Sequence, residues 1–148
     1  MCHYLSLLEN TGYKLYADLE NFVNPAELFR SLRPDIALLK KDHLIAIELT
    51  CCFETNFSKS RNYKTDRYKN LQLDCRKPVK LTKVFVEISS LGLHYKHIKD
   101  LKQICKENTN INVNRMINKM TEVAARASYF IYTRRNTEWP SPQILKFY

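Results

Sequence analysis

Two acidic residues stand inside otherwise apolar runs of this sequence, Asp35 in Pro34–Leu39 and Glu48 in Leu44–Thr50. The polar stretch Lys40-Lys41-Asp42-His43 separates the runs, and together they read as a β-hairpin with a short loop. A symmetric turn over that stretch places Leu39 opposite Leu44, Ile36 opposite Ile47 and Asp35 opposite Glu48. The two carboxylates are then cross-strand neighbours on one face, with Cβ atoms about 4.5–5.5 Å apart. A slip of one residue would send them to opposite faces. Two carboxylates that close repel, and the strands around them are rich in Ile and Leu. Folding then needs a compensation: one carboxyl stays protonated, a basic side chain intrudes, or a divalent cation binds.

The following segment offers a basic side chain. Asn56–Cys75 reads as helix and Pro78 breaks it. At about 100° per residue, Phe57, Arg61, Lys64, Tyr68, Leu71 and Cys75 fall on one line. Lys59, Asn62, Asp66, Lys69 and Asn70 face away. Lys64 therefore lies in the stripe that should pack on the sheet. A lysine there is costly unless it meets an anion or snorkels to solvent past Tyr68.

The remaining elements must hold this pair in place. Residues 1–10 give at most two or three helical turns, Lys14–Leu19 a first strand, and Asn21–Leu32 a linker carrying Pro25. Thr82–Ile88 has the alternating, β-branched look of a buried strand. Tyr95–Lys106 carries Ile98, Leu101, Ile104 and Cys105 at helical spacing. Asn112–Tyr132 carries an apolar stripe from Val113 to Ile131 that predicts an amphipathic helix. The stretch after Arg135, with Trp139, Pro140 and Pro142, reads as irregular. The expected architecture is α/β: a mixed sheet of about four strands with the Pro34–Thr50 hairpin central, helices on both sides, and a helical C-terminal part. Residues 1–139 form the one expected domain, and residues 140–148 a tail.

Composition narrows the function. The chain has 148 residues, 45% of them hydrophobic, enough for a core. A net charge of +9 favours polyanions such as nucleic acid. No apolar run approaches the roughly 18 residues of a membrane span, and Met1–Gly12 does not resemble a signal peptide. With Gly12 and Gly92 alone, no Gly-rich phosphate loop is available. The cysteines Cys2, Cys51, Cys52, Cys75 and Cys105 are odd in number and contain no C-x-x-C pair, which suits a reducing intracellular compartment. The histidines lack zinc-ligand spacing with them.

The chemistry-bearing residues also match a family pattern. Arg33-Pro34-Asp35, twelve residues, then Glu48-Leu49-Thr50 resembles the PD-(D/E)XK nuclease superfamily. Glu48-Leu49-Thr50, Phe53-Glu54, Lys64, Tyr68 and Leu71 are similar to a run found in endonuclease-like domains associated with reverse transcriptases of animal retroelements. Ala124-Ala125-Arg126-Ala127-Ser128 followed by Arg134-Arg135-Asn136 resembles that group's closing helix. The resemblance covers roughly residues 13–139. Thr50 stands where the superfamily has lysine; in several of its branches that lysine has moved to the following helix, where Lys64 lies.

The resemblance implies a restriction-endonuclease-like core and metal-dependent hydrolysis of DNA phosphodiester bonds. Asp35 and Glu48 would hold Mg²⁺ or Mn²⁺, with the Leu49 carbonyl as a third ligand. Lys64 would orient the attacking water or stabilise charge on the phosphate, and Thr50 could hydrogen-bond a bound water. Glu54 reads as a first-turn acid or a distant support of the metal, and Asp18 could approach from the first strand. Phosphate contacts would fall to Lys59, Arg61, Lys96, Lys99, Arg134 and Arg135. The association implies nicking of target DNA, in the nucleus if host DNA is the target, with a reverse transcriptase in the same polyprotein as partner. The alternative is a catalytically inactive module of the same fold that binds nucleic acid or assembles a larger retroelement protein. A purely structural α/β domain with a basic surface ranks third.

Overall fold

The computed structural model of the protein describes residues 12–96, 98–108 and 111–134. The helix expected over residues 1–10, the tail after Arg135 and Arg135 itself lie outside them. Four strands form one sheet in the order β1-β2-β3-β4: Lys14–Ala17, Ile36–Lys40, His43–Cys52 and Lys80–Ser89. The first three are antiparallel, and β4 runs parallel to β3. The hairpin is central, as its apolar runs require. Leu39 pairs with Leu44 and Ile36 with Ile47, and the ladder closes one pair further at Lys40–His43. The loop is therefore only Lys41-Asp42, with Lys41 in the left-handed region at φ 54°.

Strict alternation along β2, β3 and β4 feeds two cores. Leu15, Ala17, Ile36, Leu38, Ile45, Ile47, Val84, Val86 and Ile88 point to one face. There they meet Ile98, Leu101 and Cys105 of α3 (Ile98–Asn108) and Met116 and Ile117 of α4 (Val113–Arg134). Tyr16, Ala37, Leu44, Ala46 and Phe85 point to the other and meet Phe29, Tyr68, Leu71 and Cys75. The stripe of α4 enters the core through its first half; Ile131 is exposed near its C-terminal end.

The segment expected as one helix over Asn56–Cys75 is two, α1 (Phe57–Arg67) and α2 (Leu71–Asp74). The break tightens into three-residue turns, with Lys69 N–H donating to Asp66 O at 3.1 Å and Leu71 N–H to Tyr68 O at 3.2 Å. Two anchors account for it. The Tyr68 hydroxyl donates to Arg33 O at 2.9 Å. Asp74 accepts from the N–H groups of Arg30, Ser31 and Leu32 and from the Ser31 hydroxyl. The first ties the end of α1 to Arg33, and the second ties α2 to Asn21–Leu32, which is more than a linker: it contains a 3₁₀ turn at Pro25–Glu27 and the buried Phe29, bridged to Cys75. Among the described residues no helix is long and apolar enough to cross a membrane.

Candidate active site

The hairpin register continues one step past Ile36–Ile47, so Asp35 faces Glu48. Asp35 N–H donates to Glu48 Oε1 at 3.0 Å, and Leu49 N–H donates to Asp35 Oδ2 at 2.8 Å. By alternation Asp35 shares a face with Ala37, and Glu48 shares it with Ala46 and Leu44, which is the face covered by α1. Glu48 is 3% exposed. Desolvating a carboxylate that far costs several kcal/mol unless a partner offsets it. Lys64 is that partner: its ammonium donates to Glu48 Oε2, and its side chain is 18% exposed. Of the compensations the paired carboxylates required, the intruding basic side chain is present, from the predicted helix stripe. Tyr68 closes the site beside it, its ring 5.9 Å from the Lys64 ammonium. Burial pushes the Tyr68 phenol up, and the neighbouring Glu48 carboxylate adds to the shift.

Thr50 lies next to Glu48 on the same face of β3, about 7 Å along the strand, and lines a cleft between β3 and α1. The cleft holds about 430 Å³; Cys52 joins Thr50 on its strand wall, and Asn56, Lys59, Ser60, Tyr63 and Lys64 form its helix wall. Asp18 continues the β1 register opposite Asp35, its N–H donating to Asp35 O at 3.1 Å. Its carboxylate accepts from Asn24 Nδ2 at 3.4 Å. Glu54 belongs elsewhere. The Ser89 hydroxyl beside it holds its carboxyl below the ordinary range. Ser89 pairs with Cys52, four residues beyond Glu48 and so about 13 Å along the strand.

Arg61 departs from its expected role. It donates to Phe85 O at 2.9 Å and to Glu87 at 3.3 Å, and reaches Asp100 at 3.9 Å. Its charge is engaged inside the protein, under α1, rather than offered to phosphate. Glu87, 2% exposed, is a carboxylate that sequence reasoning missed. The signal was there: within Thr82–Ile88, Val84, Val86 and Ile88 share one face, which leaves Phe85 and Glu87 facing α1 and its basic stripe. Among the other phosphate candidates, Lys59 is exposed on the cleft. Lys96 sits over the Tyr95 ring, Lys99 is exposed on α3, and Arg134 stacks on Phe130 at the end of α4. Burial pushes the Cys105 thiol up to about 11, which makes it a packing group and not a nucleophile.

Among the described residues no three His, Cys, Asp or Glu side chains converge as a metal site. The donors at the hairpin are nonetheless all oxygen, which suits a hard cation held by one or two carboxylates and waters. Asp35 Oδ1 has no protein hydrogen bond among the described residues, whereas both Glu48 oxygens are engaged. The residues thus fit one hard cation on condition that Lys64 gives up Glu48. No protein-family model matches the chain, and no curated protein matches it.

Proposed function

We infer that this chain is a metal-dependent endonuclease-like domain acting on DNA phosphodiester bonds. The observation that carries the reading is the convergence of Asp35, Glu48 and Lys64 on one face of the central hairpin. A buried Glu48 carboxylate beside the half-buried Asp35 is a costly choice for a fold that only needs packing.

In this reading Asp35 and Glu48 would hold Mg²⁺ or Mn²⁺, with the Leu49 carbonyl beside them. When bound, the cation acidifies a water and offsets charge on the scissile phosphate. The chain's own contribution centres on Lys64. It neutralises Glu48 while the site is empty of substrate, and an arriving phosphate offers it a second anion. Its ammonium then stabilises the negative charge that grows on the phosphate oxygens. The Thr50 hydroxyl can hydrogen-bond a water but carries no charge to replace an ammonium. Asp35, pinned through Oδ2, keeps Oδ1 free to bind. The family resemblance further suggests a retroelement nicking domain that works on nuclear DNA beside a reverse transcriptase.

A second reading, an inactive module of the same fold, is favoured by one observation: both Glu48 oxygens are already satisfied by protein donors. A nicking assay on supercoiled plasmid with Mg²⁺ or Mn²⁺ separates the two. The nuclease produces nicked circles, and Glu48→Gln does not. If the wild-type chain binds the plasmid and leaves it intact with either cation, the inactive module is correct.

A further inference from the structure

The cleft beside Lys64 is built by two periodicities at once. Glu48, Thr50 and Cys52 alternate onto one face of β3, and the last two line the cleft. Asn56, Lys59, Ser60, Tyr63 and Lys64 follow the i, i+3, i+4, i+7, i+8 spacing of one helix face, turned about 90° from the buried stripe, with Lys64 at its edge. Its volume of about 430 Å³ falls within the roughly 300–1,000 Å³ of small-ligand sites. Its walls combine two lysines, three small polar side chains and an aromatic ring. Tyr63 is 63% exposed, so packing does not account for its place on this face. An exposed ring flanked by cations is the arrangement that takes a stacked base and its phosphates, and it is sequence-tolerant because every base presents a π-face.

We propose that this cleft is a subsite for one unpaired nucleotide of a DNA strand. The base stacks on Tyr63, Lys59 holds a flanking phosphate, and the polar wall of Thr50, Asn56 and Ser60 offers hydrogen bonds to the sugar and base edge. The strand's next phosphate then arrives at Lys64, about 7 Å along β3 from the cleft's Thr50 to Glu48. A base inside a duplex cannot enter such a site without leaving its stack. The substrate class is therefore DNA with an unpaired segment, such as a flap, gap or single strand, in preference to intact duplex. The inference rests on the nuclease reading for its use, but not for its measurement.

Fluorescence anisotropy in EDTA compares a labelled oligo(dT) with a blunt duplex of the same length, for the wild-type chain, Tyr63→Ala and Tyr63→Phe. The wild-type chain prefers oligo(dT). Tyr63→Ala lowers that preference by about 5- to 150-fold, the loss of one stacked base, and Tyr63→Phe restores it. Circular-dichroism melts confirm that both variants fold. Equal losses on the two probes, an unchanged preference in Tyr63→Ala, or a wild-type chain that favours duplex would each overturn the proposal. Plasmid nicking is scored apart. A chain that nicks without the oligo(dT) preference loses this subsite and keeps the nuclease reading. A chain that shows the preference and never nicks keeps the subsite and loses the nuclease.

Discussion

Asp35 and Glu48 hold each other in place by bonds from each carboxylate to the main chain opposite, and not by contact between the two carboxyl groups. The Asp35 N–H is bound by the Glu48 carboxylate, and the N–H next to Glu48 is bound by the Asp35 carboxylate. Side-chain oxygens thus replace backbone carbonyls for one rung beyond the Ile36–Ile47 pair. This crossed arrangement keeps two like charges at the end of a ladder in a fixed orientation, which is what a shared ligand of either carboxylate needs.

Glu48→Gln tests the charge while preserving shape. The amide oxygen can still accept from Asp35 N–H, but Lys64 loses its counter-charge. Nicking should vanish while plasmid binding in metal-free buffer persists. Urea unfolding should show a loss of about 1–3 kcal/mol, the cost of a weakened charge-assisted bond.

Lys64→Met has a larger structural effect than its aliphatic volume suggests. From sequence, the substitution is expected to leave a stable protein with nicking reduced about 10²–10³-fold. The pairing with Glu48 revises the first half. Removing the ammonium strands a carboxylate that is 3% exposed, a defect of about 3 kcal/mol, at the low end for a buried pair because solvent reaches Lys64. Glu48→Gln added to Lys64→Met should recover part of that loss. A double variant no more stable than Lys64→Met would show that the two groups do not interact.

Asp74 gives the fold an acid limit. Burial alone would raise its carboxyl, but the Ser31 hydroxyl and the N–H groups of Leu32, Ser31 and Arg30 outweigh burial and hold it below the ordinary value. A carboxyl depressed on folding stabilises the protein above its unfolded pKa. That stabilisation is lost as pH falls from about 4 through the lower folded value. Asp74→Asn should therefore melt below wild type at pH 6, and the gap between the two should close as pH falls below about 4. A gap independent of pH would contradict the role.

Lys41 occupies left-handed backbone at φ 54° in a two-residue turn. A side chain there costs about 1–2 kcal/mol, against about 0.4–1 kcal/mol of added unfolded-state entropy for glycine. Lys41→Gly should stabilise the chain by about 0.5–1 kcal/mol, visible as a higher melting temperature.

The hairpin was legible because its pattern is local and periodic. A symmetric turn pairs Leu39 with Leu44 and brings Asp35 opposite Glu48, and of the two registers the sequence leaves open that one is observed. Lys64 was legible for a similar reason, since helical spacing alone puts it among Phe57, Tyr68 and Leu71. Glu87 was not singled out because its importance depends on Arg61, which lies 26 residues away. The break at Tyr68–Asn70 was hidden because the stripe continues across it. Tethers to Arg33 and to the Arg30–Leu32 backbone decide it, and both are non-local. The face of Asp18 depended on the β1–β2 pairing, which no turn chemistry between those strands announces.

The parallel pairing of β3 with β4 orders these events in time. Hairpin partners are close in sequence, from Lys40–His43 to Ile36–Ile47. Each β3 residue meets a β4 partner 37 positions later, since His43 pairs with Lys80 and 80 − 43 = 37. Local contacts close with less entropy loss and form first. Asp35 lies 13 positions from Glu48 and Lys64 lies 16 positions from it, so the ammonium is close enough in sequence to reach the carboxylates before β4 joins the sheet. Kinetics carry the signature: Lys41→Gly accelerates refolding, whereas Val84→Ala in β4 accelerates unfolding and leaves the refolding rate nearly unchanged.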